Sequence, residues 1–519
     1  MKKSAILILL LLPFLGFAQR ADILIKNGKI IDGSGNSWFY GDLAVKNGKI
    51  IAIGHLDKIK AKQVIDAGKK IIAPGFIDVH THIEGDEKRT PTADNFIYDG
   101  VTTVITGNCG SSNLDIKKYF KTLDSLKLSI NVATFIGHNN VRQAVLGTAN
   151  RAPNSAELNQ MEQLVDKAMR DGAVGLSTGL IYIPGTYAHT DEVIALAKVA
   201  SKYHGTYTSH IRSESQQVFA AIDEALNVGK EANMPVQISH FKIGKPYWGQ
   251  SDKTLGMVKQ ARAEGWEVTI DQYPYTASST SLNSIIPSWA LENGRDSILY
   301  RLNNPQIRQK IIAEMISDME KRQRPNFEYA VVAKFNADQS LNGKNISQIN
   351  TLWGRKSTIP DEIETILDLT AKGGASMVFH SMDEADVENI MQYPFTMIAS
   401  DSGIREFGAG VPHPRGYGSN ARVLGKYVRE RKVLGLEDAI RRMTSLPAQK
   451  FGFTNRGLLR TGMAADIVIF DPEMVNDEST YDKPHAYSKG FQYTLVNGKL
   501  TVNNYQHTGI RNGQTLKRL

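Results

Sequence analysis

The chain has 519 residues, of which 41% are hydrophobic and 22% are charged, a composition that is ordinary for a globular protein and excludes collagen-like and low-complexity chains. Its formal net charge of +8 is spread along the chain without a long basic block, so we do not expect a nucleic-acid partner. The single cysteine excludes a disulfide scaffold.

Residues 1–18 are typical of a secretory signal peptide. Two lysines precede an apolar run over residues 5–17, and Ala18 stands before a cleavage point ahead of Gln19. The apolar run is shorter than the ~20 residues that a membrane-spanning helix needs. We therefore expect the mature chain to be exported, to a bacterial periplasm or to the exterior, and to carry no membrane segment.

The two ends of the chain share a sequence pattern that predicts short strands and tight turns. Residues 19–73 contain Asn47-Gly48 and residues 456–505 contain Asn497-Gly498, both of which are hairpin turn signals. This likeness predicts a small β-sandwich domain whose two parts come from the two termini. The polar and basic residues 506–519 are expected to form a loose tail.

Between these ends, residues 74–455 alternate short apolar strands with helical stretches. Repeated strand–helix units imply a parallel sheet, and about eight of them imply a closed (β/α)8 barrel of the TIM type. The strand candidates are Phe76–His80, Val101–Thr106, Val132–Ile136, Ala173–Ser177, Thr206–His210, Val236–His240, Val268–Asp271, Ser376–His380 and Met397–Asp401. Because nine candidates are found, one is expected to lie outside the barrel or not to be a strand.

The segment of about residues 282–372 does not keep this rhythm. It is long and polar, and Arg308–Arg322 within it has helical spacing. Long segments that interrupt a barrel on its carboxyl-end face are often lids. We therefore expect an inserted lid over one mouth of the barrel.

Several strand candidates end in, or lead to, a residue type that binds metal ions. These residues are His80, His82, Cys109, His210, His240 and Asp401. In a (β/α)8 barrel the carboxyl ends of the strands converge on one face, so residues far apart in sequence would lie together there. Nitrogen and thiolate ligands suit zinc best among the common metals.

Each of these residues also has an ordinary structural interpretation. A lone histidine at a strand end is more often a hydrogen-bonded structural residue, and a lone cysteine is usually a small core hydrophobe. Asp401 precedes Ser402-Gly403 and could be a turn residue. The joint placement of all six at equivalent strand ends favours a metal site.

Longer motifs surround these residues. They are Pro74-Gly75-Phe76-Ile77-Asp78-Val79-His80-Thr81-His82, Gly107-Asn108-Cys109-Gly110, Gly172-Ala173-Val174-Gly175-Leu176-Ser177-Thr178-Gly179-Leu180 with Tyr182, Tyr273-Pro274-Tyr275, His413-Pro414-Arg415 and Ala464-Ala465-Asp466-Ile467-Val468. With these motifs the sequence resembles the amidohydrolase superfamily and, within it, the D-aminoacylase (N-acyl-D-amino-acid deacylase) family. The resemblance covers nearly all of residues 21–505.

The resemblance implies a metal-dependent hydrolase of linear amide bonds with one tightly held zinc. That zinc would be bound by Cys109, His210 and His240, and a second, weaker site would use His80 and His82 and share the cysteine. A zinc-bound water has a pKa of about 7. Asp401 would then accept the proton of that water and pass it to the leaving nitrogen. The predicted fourth strand has no lysine to bridge two metals, and in this family the cysteine takes that part.

The resemblance also implies a small-molecule substrate, an N-acyl-D-amino acid. Lys242, Tyr273, Ser279 and Arg415 match positions that the family uses to bind the free α-carboxylate. Arginine suits this task because its planar guanidinium binds a carboxylate with two hydrogen bonds. The segment Leu282–Trp289 is mainly apolar and lacks a cation, so we expect a neutral or hydrophobic side chain on the substrate.

Other functions remain open from the sequence. The same residues would serve a dipeptidase for peptides with a C-terminal D-residue, or a hydrolase of another linear or cyclic amide. A binding protein on an amidohydrolase scaffold is an alternative of a different class, since fold does not determine function. Such a protein would be expected to have lost metal ligands, and this sequence retains all six candidates.

Overall fold

The computed structural model describes residues 20–518. The predicted signal peptide lies outside these residues. Within them, no helix combines the length and the apolar character needed to cross a membrane.

The described residues begin with five strands, continue with alternating strands and helices, and end with four strands. The first strands are β1 (Ala21–Ile30), β2 (Phe39–Lys46), β3 (Lys49–Gly54), β4 (Ala61–Asp66) and β5 (Ile71–Pro74). The alternating part begins with β6 (Phe76–Asp78), α1 (Asp94–Ile97), β7 (Val101–Thr106), α2 (Ile116–Leu126), β8 (Asn131–Thr134), β9 (Ile136–Gly137), α3 (His138–Leu146), α4 (Ser155–Asp171), β10 (Gly175–Gly179), α5 (Thr190–Ser201), β11 (Thr206–His210), α6 (Val218–Ala232), β12 (Val236–Ile238), α7 (Ser251–Ala263) and β13 (Val268–Gln272).

An inserted segment follows, and then the last elements. The segment contains β14 (Ala277–Ser281), α8 (Gly294–Asn303), α9 (Pro305–Lys321), β15 (Ala330–Lys334), α10 (Ile346–Leu352), α11 (Ile359–Ala371) and β16 (Ser376–His380). The remaining elements are α12 (Glu384–Gln392), β17 (Thr396–Ile398), α13 (Arg415–Arg422), a π-helical stretch (Val423–Glu430), α14 (Leu436–Met443), α15 (Ser445–Lys450), β18 (Ile467–Phe470), β19 (Phe491–Val496), β20 (Lys499–Asn503) and β21 (Gln506–His507).

Both ends of the chain contribute to one nine-stranded mixed sheet. Its order is β21-β20-β19-β18-β5-β1-β2-β3, and β4 pairs with β1. The central contact is the antiparallel pairing of β5 with β18. The inward side chains of this sheet form their own core, which includes Ile25, Leu43 and Ile467.

The alternating part forms two parallel sheets, as expected for a mixed α/β fold. Their orders are β6-β7-β8 and β9-β10-β11-β12-β13-β17. Hydrogen bonds link them at both ends: Val174 N donates to Thr134 O at 2.9 Å, and Asp401 N donates to His80 O at 2.9 Å. Strand β7 reads VTTVIT and is buried along its whole length, which is typical of parallel strands covered on both faces.

Helix α4 has clear sequence boundaries. In α4, the Asn154 side chain accepts from Glu157 N while the Glu157 side chain accepts from Asn154 N, which is a capping box. Gly172 ends the helix with a φ of 110°, a conformation that favours glycine. Helix α4 spans 155–171 where the sequence predicts helical spacing over 156–169, so local signals suffice here.

One of the nine strand candidates lies outside the parallel sheets, as expected. Strand β16 pairs antiparallel with β14 and with β15 instead. A short buried strand has the same apolar pattern in either setting, so the pattern alone cannot say which candidate is the extra one. The inserted helices pack on this small sheet around a separate core that includes Ile311, Met315 and Ile366.

The expectation of a loose tail is wrong for the described residues 506–518. Val132 N donates to Gln514 O at 3.0 Å, and Leu516 N donates to Val132 O at 2.8 Å. The tail therefore pairs with β8 in the parallel direction. Leu516 also packs against a buried cluster that includes Phe451. The polar composition of the segment conceals these backbone hydrogen bonds.

Candidate metal centre and substrate cavity

The first two candidate ligands follow strand β6. His80 is fully buried, whereas one third of the His82 side chain is exposed. Besides the bond from Asp401 N to His80 O, His82 N donates to Ser402 O at 2.9 Å, so this stretch runs alongside the segment after β17. This pairing places Asp401 Oδ1 3.5 Å from His80 Nε2 and 3.1 Å from His82 Nε2.

Cys109 lies in the tight loop after β7. Its Sγ is 3.2 Å from His80 Nε2 and 3.6 Å from the nearest nitrogens of His210 and His240. The loop requires glycine at position 110, where φ is 76° and a Cβ would lie 2.1 Å from Asn139 Oδ1. The Gly-Asn-Cys-Gly motif therefore places the thiol at the centre of the histidine cluster.

His210 ends strand β11, and His240 follows strand β12. Nδ1 of His210 and Nε2 of His240 lie only 2.8 Å apart. Both nitrogens also face the Cys109 thiol, so three donor atoms converge on one point. His210 Nε2 has no hydrogen-bond partner among the described residues.

Three of these residues adopt the left-handed backbone conformation. The φ values are 52° at Cys109, 35° at His240 and 51° at Asp401. Non-glycine residues seldom occupy this region, and such strain persists mainly where the surrounding structure requires it, often at functional sites. The backbone is therefore bent at each point where one of these side chains enters the cluster.

This donor set fits a zinc ion. Cys109 Sγ lies 3.6 Å from His210 Nδ1 and from His240 Nε2, which lie 2.8 Å apart. Two imidazole nitrogens and one thiolate match the ligand types and number of a catalytic zinc site. Burial alone would raise the pKa of the Cys109 thiol, but the charge of His80 and hydrogen bonds with the three imidazoles hold it well below its ordinary value. The thiolate, which is the form that binds metal, is therefore favoured here.

The carboxylate of Asp401 lies at the edge of the cluster. Burial alone would raise its pKa, but the charges of Arg415 and His80 and a hydrogen bond with His82 hold that pKa well below its ordinary value. Asp401 is thus ionised and can accept a proton. Its second oxygen, Oδ2, lies 2.9 Å from Arg415 Nη1.

Of the four predicted carboxylate-binding residues, Arg415 and Tyr273 keep unpaired polar atoms. The guanidinium of Arg415 lies 4.5 Å from the centre of the Tyr273 ring, and Arg415 Nη2 donates to Ser279 O at 3.1 Å. Tyr273 Oη is buried and has no hydrogen-bond partner among the described residues. A substrate carboxylate would supply the missing acceptor.

The other two predicted residues are already engaged. Ser279 Oγ donates to Met377 O at 2.8 Å, within the pairing of β14 and β16. Lys242 Nζ lies 2.5 Å from Glu214 Oε1 and 2.7 Å from His240 Nδ1. Lys242 therefore contacts the ring nitrogen of His240 that faces away from Cys109.

Sequence analysis missed Glu214 and Asp271, which contact His240 and His80 at atoms other than those that face Cys109. Glu214 Oε1 lies 2.9 Å from His240 Nδ1. Asp271 accepts a hydrogen bond from His240 N at 2.8 Å, and its Oδ1 lies 3.3 Å from His80 Nδ1. The spacing His210-x-x-x-Glu214 was the available signal for the first. Carboxylates in such positions orient ligating imidazoles.

The cluster opens into a cavity with two lobes, which share Tyr182, Ser279, Thr280 and Asp401. The insertion lobe, of about 240 Å³, is lined by residues that include His240, Lys242, Tyr273, Ile285, Arg324 and Met382. The loop lobe, of about 560 Å³, is lined by residues that include His82, Asp86, Arg405, Pro412 and Arg415. Sequence analysis did not identify Arg324 or Arg405.

An amidohydrolase family model matches residues 63–502 of the chain. Over 503 residues the chain is 34% identical to an N-acyl-D-glutamate deacylase of Alcaligenes xylosoxydans xylosoxydans, covering 92% of this chain and 93% of the relative. It is 32% identical over 525 residues to a D-aminoacylase of the same organism, covering 96% and 98%. The crystal structure of N-acyl-D-glutamate deacylase from Bordetella bronchiseptica, complexed with zinc and a phosphonate mimic of the tetrahedral intermediate, superposes with a TM-score of 0.83 at 35% identity, covering 96% of this chain and all of that one.

Proposed function

This chain belongs to the amidohydrolase family and, within it, to the N-acyl-D-amino-acid deacylases, and on that premise we propose that it uses zinc to hydrolyse N-acyl-D-amino acids to a carboxylate and a D-amino acid. The observation that carries the proposal is the convergence of Cys109, His210 and His240 beside the Asp401–Arg415 pair. A hydrolase of linear amides needs a Lewis acid, a base and a carboxylate-binding group together, and these residues would supply all three.

Cys109, His210 and His240 would hold the tightly bound zinc, with His80 and His82 available to a weaker second ion. Bound zinc supplies a Lewis acid that polarises the scissile carbonyl and lowers the pKa of water. The ionised Asp401 accepts a proton from the attacking water. It then delivers that proton to the amide nitrogen, because an amine leaves readily only after protonation.

Arg415 has two tasks in this scheme. Through Nη1 it keeps the Asp401 carboxylate in place, and together with Tyr273 Oη it binds the α-carboxylate of the substrate. A substrate held by that carboxylate presents its nitrogen towards Asp401. Arg415 lines the loop lobe, but its guanidinium lies against Tyr273, which lines the insertion lobe. The α-carboxylate therefore binds where the two lobes meet, and the rest of the amine half, with the D-side chain, extends into the insertion lobe.

We assign a neutral, hydrophobic side chain to the substrate. A neighbouring pocket with a mixed polar and apolar lining shares Ile181, Tyr182 and Ser284 with the insertion lobe, and Ile286 and Leu291 contribute to its apolar part. Two cations of the inserted segment also line the insertion lobe, and each already contacts another residue of the protein. Arg322 Nε lies 2.5 Å from Asp318 Oδ2, and the Arg324 guanidinium lies 4.5 Å from the Tyr329 ring centre.

The surrounding architecture follows from the same premise. We infer that the two hydrogen-bonded parallel sheets form the (β/α)8 barrel and that the inserted segment serves as a lid over the insertion lobe. We also propose that residues 1–18 direct export and are removed. An exported enzyme would meet its substrates outside the cytoplasm.

The experiment that tests this function uses the chain from Gln19 to Leu519. Its zinc content is measured by elemental analysis, and the same preparation is assayed with N-acetyl-D-leucine, N-acetyl-L-leucine and N-acetyl-D-glutamate. The proposal requires at least about one zinc per chain, as in catalytic sites with three protein ligands, and hydrolysis that is fastest with N-acetyl-D-leucine. Failure of the zinc-loaded protein to hydrolyse any N-acyl-D-amino acid overturns the proposal, and faster hydrolysis of the glutamate derivative overturns the side-chain assignment.

A further inference from the structure

The loop lobe contains a guanidinium, that of Arg405, for which the protein supplies no carboxylate partner. Within the described residues 20–518, no carboxylate oxygen lies within 4.0 Å of its nitrogens. Its Nε donates to Ser402 Oγ at 2.9 Å, which leaves the two terminal nitrogens available. Arginines that lie against an active-site cavity without such a partner are candidates for binding an anionic group of the substrate.

The position of Arg405 is set by several contacts. Its backbone N donates to Asn95 Oδ1 at 3.1 Å, and Asn95 Nδ2 donates to Gly403 O and Gly416 O. The side chain lies so close to Gly416 that a Cβ there would be 3.0 Å from Arg405 Nε and 3.2 Å from its Cγ. These contacts therefore hold the guanidinium in one position against the cavity.

The charges around the loop lobe leave an excess of positive charge. The pKa of Arg405 is lowered by burial and then by the charge of Arg415. The two carboxylates that line the lobe are already paired, Asp86 with Arg89 and Asp401 with Arg415. An anion entering this lobe would relieve the repulsion between the two guanidiniums.

The proposed function assigns the amine half of the substrate to the insertion lobe. The acyl half, on the other side of the scissile bond, then extends into the loop lobe. That lobe has more than twice the volume of the insertion lobe, about 560 Å³ against about 240 Å³. An acetyl group would leave most of this lobe empty.

We propose that Arg405 binds a carboxylate at the far end of the acyl group, so that the preferred substrates are N-acyl-D-amino acids whose acyl group carries a second, terminal carboxylate, such as succinyl. Hydrolysis breaks the bond between the carbonyl carbon and the nitrogen, adds one water, and yields the dicarboxylate and the D-amino acid. This inference rests on the proposed function for its division of the substrate between the lobes.

The first test compares N-succinyl-D-leucine with N-acetyl-D-leucine in the wild-type enzyme and in Arg405→Gln. Wild type is expected to favour the succinyl substrate in kcat/KM. The variant is expected to lose about 10- to 100-fold in kcat/KM on the succinyl substrate, the range for a charged hydrogen bond, and little on the acetyl substrate. Arg405→Lys, which keeps the charge, should recover part of the loss.

Arg324→Gln is the matched control because it removes a cation from the other lobe. The ratio of kcat/KM for the two substrates should not change in this variant. An equal loss on both substrates in Arg405→Gln, or a wild-type enzyme that favours the acetyl substrate, overturns the inference while leaving the proposed function intact.

A binding measurement decides the matter even if the proposed function fails. The affinities of succinate and acetate for the zinc-loaded wild type and Arg405→Gln are measured by calorimetry. The inference requires that wild type bind succinate more tightly than acetate and that the variant lose about 10-fold or more of the succinate affinity. Equal succinate affinity in the two proteins overturns it.

Discussion

Arg415 Nη1 lies 2.9 Å from Oδ2 of Asp401, so the carboxylate assigned to proton transfer is also the counter-ion of the arginine assigned to the substrate. Both side chains are almost fully buried. The ion pair lowers the pKa of Asp401 in a site where burial alone would raise it. Substrate binding and proton transfer are therefore connected through a single contact.

The first prediction concerns that carboxylate. Asp401→Asn keeps the shape of the side chain but cannot accept a proton, so kcat should fall by about 10²- to 10⁴-fold, the usual contribution of a positioned acid–base group. The tightly bound zinc should remain, because Cys109, His210 and His240 are unchanged. Steady-state kinetics and elemental analysis of the same preparation test both statements, and a zinc-loaded variant with unreduced kcat would show that another group moves the proton.

The second prediction concerns the metal. Removal of zinc with a chelator should abolish hydrolysis, and zinc added back should restore it in the wild type. Cys109→Ala removes the thiolate at the centre of the cluster, so this variant should retain little zinc and should not recover. His82→Asn serves as the comparison, because His82 would serve only the weaker site and this variant should keep about one zinc per chain. Full zinc content in Cys109→Ala would contradict the ligand assignment.

The third prediction concerns Glu214, a positioning residue. Its carboxylate contacts both His240 Nδ1 and Lys242 Nζ. Glu214→Gln would leave the lysine charge next to the imidazole without its counter-ion, so zinc affinity should fall by about 10- to 100-fold, as for other carboxylates behind a metal-binding histidine. Competition with a zinc chelator measures the affinity directly.

The control for this variant is Glu224→Gln. Glu224 pairs with Arg212 and accepts from Thr190 without contacting a candidate ligand. Its zinc affinity should match that of the wild type. If both variants lose zinc equally, the effect of Glu214 is general destabilisation and the positioning role is wrong.

The fourth prediction concerns Lys450, whose Nζ donates to Val236 O and contacts Glu267 near the amino ends of β12 and β13. Burial lowers the pKa of Lys450 to about 8 from 10.5, against the charge of Glu267. Between these pH values the unfolded chain binds the proton and the folded chain does not, so the free energy of unfolding rises with pH in this window. The full gain would be about 3 kcal/mol.

The test compares urea denaturation of the wild type and Lys450→Met from pH 7 to 10.5. The stability of the wild type relative to the variant should rise by up to about 3 kcal/mol across this range. Lys253, an exposed lysine bonded to Gln250, provides the control Lys253→Met, which should follow the wild type. Parallel curves for the wild type and Lys450→Met would mean that Lys450 titrates at its ordinary pKa.

The candidate ligands could be predicted from the sequence because strand ends leave a pattern. His80, His210 and His240 each follow a short buried strand, and topology alone brings the carboxyl ends of parallel strands together. Glu214 and Arg405 lie in loops, where no periodicity marks a side chain. The position of Arg405 depends on Asn95, 310 residues away, and a contact of that kind appears only after folding.

The same distinction explains the other differences. The polar composition of residues 506–518 suggests a free end, yet their backbone hydrogen bonds to Val132 do not depend on side-chain chemistry. Lys242 and Ser279 have the right chemistry for an α-carboxylate, but Glu214 and Met377 O already occupy their donor groups. Residue type predicts what a group can do, and only geometry determines what remains free to do it.

The pairing of β5 with β18 joins residues 71–74 to residues 467–470. A polypeptide emerges from the ribosome amino end first, so β5 can pair with β1 early but with β18 only after almost the entire remaining chain has been made. Contacts of such long sequence separation form late and slowly. A chain truncated before Ile467 therefore cannot complete the terminal sheet. Such a product would expose unpaired strand edges, which favour proteolysis or aggregation.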